Sequence, residues 1–260
     1  MTGKHVLIIN GAETRLQIVL GRAGELVQAR EISAPGKILR FLVPSIQEIM
    51  DGHVIGPGDI GGICCVCGPG SFTGIRLVLA TAFGLARGWN VPLAGIDYLP
   101  LLAAGAGELL SGELWVVTHA RQGQVYLQSF AAPSLRPVHD PLSPSLQELP
   151  ARLQAVEHPP AVLGSGVRKN PSFWQEQGSL VRILDPLFDV PRPEILLDHA
   201  FRASYAHDPV APLYMRRSDA EENLEAICAR RGVSVVQARE KIPDFTQQVD
   251  RQENHPGDQG

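Results

Sequence analysis

Residues 63–76 read ICCVCGPGSFTGIR, and this stretch decides the fold. Its first five residues are apolar, as expected of a strand that is buried on both faces of a sheet. Gly68, Gly70 and Gly74 permit a tight turn, and Ser71 and Thr73 are residue types that cap the first turn of a helix. The stretch therefore predicts a strand, a turn and a helix, the unit from which α/β folds are built.

The loop after this strand has two interpretations. Free N–H groups at a helix start suit an anion, so the loop can hold a phosphate or a partner's carboxylate. Alternatively, it is a turn that packs a helix closely onto its sheet. It is not a Walker loop, because no Lys-Ser/Thr pair follows Gly74, and its glycine spacing differs from the dinucleotide-binding pattern. The candidate contact residues are Gly68, Gly70, Ser71, Phe72, Thr73, Gly74 and Arg76.

Apolar periodicity on both sides of the motif predicts hairpins that alternate with helices. The predicted elements are a hairpin over 4–20, a strand over 25–33, helices over 37–50 and from 72 or 74 to 88, a strand over 93–96, a helix over 99–110, a hairpin over 113–130, a short helix over 146–153, strands over 161–167 and 180–184, a helix over 194–205, an extended piece over 212–216 and a helix over 219–231. Pro44 should kink or interrupt the first helix. The polar stretch from Lys241 is typical of a mobile tail.

Composition limits the function. The chain has 260 residues, 44% of them apolar, and a net charge of −4. No global basic field is available for nucleic acid, so any contact with nucleic acid must be local or shared with a partner. The apolar run from Val6 to Ile9 is too short for a signal peptide, and no stretch approaches the roughly 20 apolar residues of a membrane span. We therefore expect a soluble, intracellular protein.

Three of the four cysteines, Cys64, Cys65 and Cys67, crowd the apolar strand, and the fourth is Cys228. A zinc site needs a second cysteine pair or histidines at matching spacing, and these are missing. The cysteines are therefore interpreted as small buried residues, with a reactive thiol near Gly68 as the alternative.

The helix after the motif is apolar nearly all round, whereas a surface helix needs only one apolar face. Ala80, Gly84 and Gly88 recur every four residues, which forms a groove that another helix can approach closely. The helix is either buried centrally or forms a partner surface together with the helix from Lys37. The residues predicted for that surface are Ile38, Leu42, Ile46, Ala80, Phe83, Gly84 and Arg87.

GPGSFTGIR and the following LVLATAFGLARGWNVPLAGIDYLPLLA closely resemble the TsaB (YeaZ) family. Further matches are HVLIINGAETRLQIVL, APGKILRFLVPSIQEIM, HARQGQVYLQSF and APLYMRRSDAE, so the resemblance spans about Lys4 to Glu221. It implies the α/β actin-like fold of the actin, sugar-kinase and Hsp70 superfamily, with two lobes that each contain a mixed sheet flanked by helices. The implied divisions are an N-terminal lobe over 1–111 that carries the partner helices, a smaller lobe over 112–216, and a C-terminal helix and mobile tail over 217–260.

The resemblance also implies a function. Proteins of this family are non-catalytic scaffolds in the threonylcarbamoyladenosine modification of tRNA at adenosine 37. The implied partners are a TsaD-like catalytic subunit, a TsaE-like ATPase and a second copy of the chain, with TsaC supplying the adenylate and tRNA bound only through the complex. It implies a cytoplasmic protein with no catalytic residues, no metal and no tightly bound cofactor, and with ATP or ADP only at the interface of the complex.

Four polar positions depart from the family pattern. Asn10 replaces an Asp that, in kinases of the superfamily, helps to hold a metal–phosphate group, and an amide coordinates Mg²⁺ poorly. Lys37 replaces a histidine, His119 an aspartate and Gln124 a glutamate. We interpret these changes as drift on a non-catalytic surface.

Three rival functions stay open. An ATPase or kinase of this fold would need acidic groups for metal and base. A metallopeptidase would need paired histidines, and the eight histidines form no H-x-x-x-H pair. A homodimeric interaction protein with another client is the third.

Three arginines, Arg76, Arg121 and Arg216, lie in the matched motifs and can contact a phosphate, a partner carboxylate or a group of this chain. Tyr126 and Tyr214 are expected to pack with their hydroxyls bonded locally.

Overall fold

A computed structural model of the chain describes residues 3–215, together with Cys228 and Ser234. The strands are β1 (His5–Asn10), β2 (Arg15–Arg22), β3 (Glu25–Ser33), β4 (Ile60–Gly68), β5 (Leu93–Asp97), β6 (Gly112–Arg121), β7 (Gln124–Ala132), β8 (Arg136–Pro137), β9 (Ala161–Leu163) and β10 (Arg182–Ile183). The helices are α1 (Ile38–Gly52), α2 (Phe72–Trp89), α3 (Tyr98–Ala106), α4 (Leu149–Gln154), α5 (Ser165–Arg168), α6 (Pro171–Gln177) and α7 (Pro193–Arg202). Short 3-10 turns cover Pro57–Asp59, Gly107–Leu109, Leu146–Glu148, Gly178–Leu180 and Pro186–Asp189.

The strands form two mixed sheets with the same topology. The first has the order β3-β2-β1-β4-β5 and the second the order β8-β7-β6-β9-β10. In each sheet the first strand along the chain pairs antiparallel with its hairpin partner on one side and parallel with a later strand on the other. This repeated arrangement is the actin-like fold that the resemblance implies.

The central strands are buried on both faces, and successive side chains therefore enter different cores. In β1, Leu7 and Ile9 pack with α1 and α2, whereas Val6 and Ile8 point into a cluster that contains α3, α7 and one face of the second sheet. The opposite face of the second sheet packs with α4, α5 and α6. We call the first sheet with α1 and α2 the first lobe, and the second sheet with α4, α5 and α6 the second lobe.

Local signals explain how α2 begins and ends. The Ser71 hydroxyl accepts a hydrogen bond from the Gly74 N–H at 3.2 Å, which satisfies one of the free amides of the first turn. At the other end, Asn90 takes the left-handed conformation with a φ of 53°, a common helix stop.

The first helix runs through Pro44 without interruption. The proline removes one backbone hydrogen bond, but it lies on the exposed side of the helix. Apolar packing on the opposite side holds the turns together, since Leu42 and Ile49 are fully buried. The prediction of an interruption at this residue was therefore wrong, and the alternative of a kink stays a prediction.

Other boundaries differ from the predictions in the second lobe. The strand expected over 161–167 ends at Leu163, because Gly164 has a φ of +111° and starts the short helix α5. The strand expected over 180–184 shrinks to Arg182–Ile183, and α6 was not predicted.

Strands of the first sheet lie within residues 5–97 and those of the second within 112–183. The chain then returns to the first sheet, because α7 packs there and Leu93 and Ala206 exchange backbone hydrogen bonds. The helix predicted over 219–231, the tail from Lys241 and Arg216 lie outside the described residues. Within residues 3–215, no helix is long and apolar enough to cross a membrane.

Candidate functional site

The motif loop closes against the turn that follows β1. The Ser71 N–H donates to the Ala12 carbonyl oxygen at 2.6 Å, and this contact joins the start of α2 to the end of the first hairpin strand. A side chain at Gly70 would collide with that carbonyl oxygen, and one at Gly74 would collide with the Gly11 carbonyl oxygen. These two glycines therefore allow two backbones to touch, which favours the packing interpretation of the loop.

Both polar atoms of the Asn10 side chain form hydrogen bonds inside the protein. Asn10 is 2% exposed; its Nδ2 donates to Gln17 Oε1 at 2.7 Å, and its Oδ1 accepts from the Ala12 N–H at 3.0 Å. Gln17 in turn donates to the Pro191 carbonyl oxygen at 2.8 Å. The amide thus serves as a structural connector, whereas a metal–phosphate site would need oxygens that point into open space.

An aromatic cluster links the motif to the C-terminal matched segment. The rings of Phe72 and Tyr214 stack with centroids 5.1 Å apart, and the Arg76 guanidinium lies 3.7 Å from the centre of the Phe72 ring. Arg76 Nε donates to the Tyr214 hydroxyl at 2.7 Å, and the Leu213 N–H donates to the Cys67 carbonyl oxygen at 2.9 Å. Two segments that are far apart in sequence therefore form one surface, with Arg76 on its exposed side.

The cysteines of β4 are buried. Cys64 and Cys65 are fully buried, and the Cys67 thiol donates to the Ile96 carbonyl oxygen at 3.3 Å. Burial raises the pKa of all three thiols far above the ordinary value, and the Asp97 carboxylate adds to the effect at Cys67. The interpretation as buried strand residues is confirmed, and the alternative of a reactive thiol was wrong.

The structure buries one part of the predicted partner surface and exposes the other. Ile38, Leu42 and Ile46 pack into the core of the first lobe with at most 7% exposure, so these three side chains cannot reach a partner. They were predicted because the whole helix is apolar, and sequence alone did not show which face turns inward. The exposed apolar residues of α1 are instead Leu39 and Val43, at 67% and 52%.

On α2 the predicted residues lie nearer the surface. Ala80, Gly84 and Arg87 are exposed and Phe83 is half-buried. A side chain added at Gly84 or at Gly88 would meet nothing within 4 Å. We call the exposed residues Leu39, Val43, Ala80, Gly84 and Gly88 the α1–α2 face.

The other departures from the family pattern are spread over the molecule. Lys37 is exposed at the start of α1, and Gln124 accepts a hydrogen bond from Arg121 Nε at 2.6 Å across the β6–β7 turn. Tyr126 is buried in the core between the sheets. The backbone N–H of His119 donates to the Ser165 hydroxyl at 2.9 Å.

The Ser165 hydroxyl belongs to a polar cluster that the sequence did not reveal. Ser165 and Tyr98 both donate hydrogen bonds to the Glu13 carboxylate, with a distance of 3.0 Å from Tyr98. Burial raises the pKa of Glu13 above its ordinary value, against the opposing effects of these two hydrogen bonds and of nearby Lys169. The useful signal was an acidic residue in the turn that follows the buried strand β1, but its hydrogen-bond partners are 85 and 152 residues away in the sequence.

Across residues 3–215, no group of three or more His, Cys, Asp or Glu side chains is arranged to hold a metal ion.

The fold and site define the class of protein: a two-lobed, actin-like α/β protein whose glycine loop packs on its own backbone beside an exposed helical face. The family model described as "TsaD: tRNA N6-adenosine threonylcarbamoyltransferase" matches residues 37–136. The Escherichia coli (strain K12) protein named tRNA threonylcarbamoyladenosine biosynthesis protein TsaB is 25% identical over 229 residues, which are 85% of this chain and 98% of that protein. The Haemophilus influenzae protein of the same name is 30% identical over 137 residues, 52% of this chain and 58% of that one.

Solved structures agree on the fold. "YeaZ from Pseudomonas aeruginosa" has a TM-score of 0.66 at 19% identity, and the match covers 81% of this chain and 99% of that one. A second structure, of an uncharacterized protein with similarity to peptidase YEAZ from the same organism, has a TM-score of 0.67 at 20% identity and covers 82% and 100%. The chain is thus similar in sequence to proteins named TsaB, over 98% of the length of the E. coli protein, and similar in fold to YeaZ.

Proposed function

We propose that this protein acts in the biosynthesis of threonylcarbamoyladenosine on tRNA, as a scaffold subunit without chemistry of its own. The similarity to the E. coli TsaB protein carries the proposal, because it extends over 98% of that protein's length. The proposed place of action is the cytoplasm.

Its direct partner in this proposal is a TsaD-like catalytic subunit, and the contact is the α1–α2 face. Leu39 and Val43 expose apolar surface on α1, Ala80, Gly84 and Gly88 form an exposed groove of small residues on α2, and α1 contacts α2. Exposed apolar residues and a groove of small residues both suit a second helix. The same face serves a homodimer, so the second copy and the catalytic subunit compete for it. A TsaE-like ATPase and tRNA then join through the complex, which fits a chain with a net charge of −4.

The proposal that the chain has no catalytic activity is supported by the internal hydrogen bonds of the polar groups at the strand ends. Both polar atoms of the Asn10 side chain bond within the protein, and the loop after β4 rests on the Ala12 carbonyl oxygen. ATP or ADP is therefore proposed only at the interface with the catalytic subunit. The rival kinase function would require these contacts to be broken.

A binding experiment with matched variants tests the surface. Leu39→Glu places an acidic residue in the first turn of α1, where a carboxylate is favourable for the helix, so the monomer should keep its stability. The control Leu109→Glu changes a leucine that is 77% exposed and lies outside the α1–α2 face. Calorimetric titration with the organism's TsaD-like subunit should show at least roughly tenfold weaker binding for Leu39→Glu and unchanged binding for the control.

Equal affinity of Leu39→Glu and the wild type would remove the α1–α2 face from the proposal. Absence of any binding by the wild type would favour another client, and the same variants would then map the homodimer by sedimentation.

A further inference from the structure

Glu13, Tyr98 and Ser165 meet where the two lobes face each other. Each follows the carboxyl end of a strand: Glu13 comes after β1, Tyr98 after β5 and Ser165 after β9. In open α/β sheets, the crevice outside the strand ends is the place for a ligand, at the point where the order of strands reverses. That point lies between β1 and β4 in the first sheet and between β6 and β9 in the second.

In this protein the crevice contains one of the protein's own carboxylates. Glu13 Oε2 accepts a hydrogen bond from the Tyr98 hydroxyl at 3.0 Å, and Oε1 accepts a hydrogen bond from the Ser165 hydroxyl. The Ser165 oxygen also accepts the backbone N–H of His119, at the end of β6. The carboxyl group of the first lobe is thereby bonded directly to α5 of the second lobe, and it is linked to β6 through the Ser165 hydroxyl.

The charged groups that face the carboxylate come from the second lobe and the chain that follows it. Lys169, at the end of α5, attracts it, and Asp189 repels it. Asp189 is itself paired with Arg168 Nε at 2.6 Å and accepts the Gly164 N–H at 2.7 Å. The Asp189 charge is thus partly offset by its own partners.

Glu13 also connects to the motif loop. Its neighbour Ala12 accepts the Ser71 N–H, and a continuous path therefore runs from Ser165 through Glu13 and Ala12 to the first turn of α2.

We propose that Glu13 is a latch that holds the two lobes in one arrangement and thereby fixes the start of α2. The latch is a property of the isolated chain and does not depend on the proposed function. When the bond across the lobes is lost, the turn after β1 and the motif loop should open together with the start of α5.

Hydrogen exchange of the isolated full-length protein tests the latch. Ser165→Ala removes the hydroxyl that crosses between the lobes and leaves the Tyr98 bond in place. The amides of segments 11–14, 71–74 and 164–168 should then exchange faster together, by roughly tenfold or more. The matched control is Ser145→Ala, which removes an exposed Ser–Glu hydrogen bond of 3.0 Å to Glu148 within the second lobe. It should leave all three segments unchanged.

Two variants at Glu13 provide an independent test of the latch if Ser165→Ala folds poorly. Glu13→Gln retains an acceptor for one hydroxyl and a donor toward the other, so it should exchange like the wild type at a pH where the Glu13 carboxyl group is protonated. Glu13→Ala should behave like Ser165→Ala. Faster exchange at 164–168 alone would show only a local effect of the substitution on α5. Equal acceleration across residues 3–215 would show general destabilisation, and either result would overturn the latch.

Discussion

The substitution Gly84→Gln should raise the stability of this protein and weaken its association with a partner helix. Gly84 lies in the middle of α2, it is exposed, and a side chain there meets nothing within 4 Å. The substitution therefore has no steric cost in the monomer. Glycine is about 0.8–1.0 kcal/mol less favourable than alanine in a helix, and glutamine is close to alanine. The free energy of unfolding should rise by about 0.5 kcal/mol, which corresponds to about 1–2 °C in Tm for a protein of this size.

The expected effect on binding has the opposite sign. A second helix can approach the groove of Ala80, Gly84 and Gly88 closely only because these residues are small. A glutamine side chain in the middle of this groove would push the partner helix away and should weaken association at least roughly tenfold. Thermal unfolding and sedimentation of the same samples measure both quantities.

A Gly84→Gln variant that is more stable and associates as tightly as the wild type would contradict this prediction, because the groove would then not be the contact. A lower Tm would show instead that this side of α2 is covered in the monomer.

The remaining predictions concern the strand ends and their glycines. Asn10→Asp should lower the free energy of unfolding by roughly 2 kcal/mol in chemical denaturation, because the donor to Gln17 is lost in a buried place, and it should create no ATPase activity; an unchanged midpoint would contradict the contact. Gly70→Ala should lower it by roughly 2 kcal/mol through collision with a backbone oxygen, whereas Gly58→Ala, with nothing within 4 Å, should stay within about 0.5 kcal/mol. Glu13→Gln should remove a pH dependence: because burial raises the pKa of Glu13 in the native state, the wild type should lose stability as pH rises from about 4.5 through that pKa. Parallel pH profiles of the wild type and Glu13→Gln would refute it.

Much of the fold was predictable because its central elements carry long apolar signals. The strand that ends at Gly68 and the helix that starts at Phe72 are marked by a buried run, a glycine turn and a capping serine. The helix Pro171–Gln177 was missed because its seven residues show no helical period, and it is fixed by the single buried ring of Trp174.

The orientation of the two apolar helices was not predictable. Both helices stand out in the sequence for their excess of apolar residues, yet only packing decides that Leu42 points inward and Leu39 outward, and their role as a partner surface stays a prediction. The polar cluster around Glu13 was beyond sequence reasoning, because Ser165 lies 152 residues away and meets Glu13 only when the two sheets face each other.

The most direct test of the central claim is reconstitution. The organism's TsaD-, TsaE- and TsaC-like proteins, with threonine, bicarbonate, ATP and tRNA, are incubated with and without this chain, and modified adenosine is quantified by mass spectrometry of digested tRNA. The scaffold proposal predicts modification that depends on this chain and is reduced by Leu39→Glu but not by Leu109→Glu. Full modification in its absence, or none in its presence, would contradict a role for this chain in the pathway.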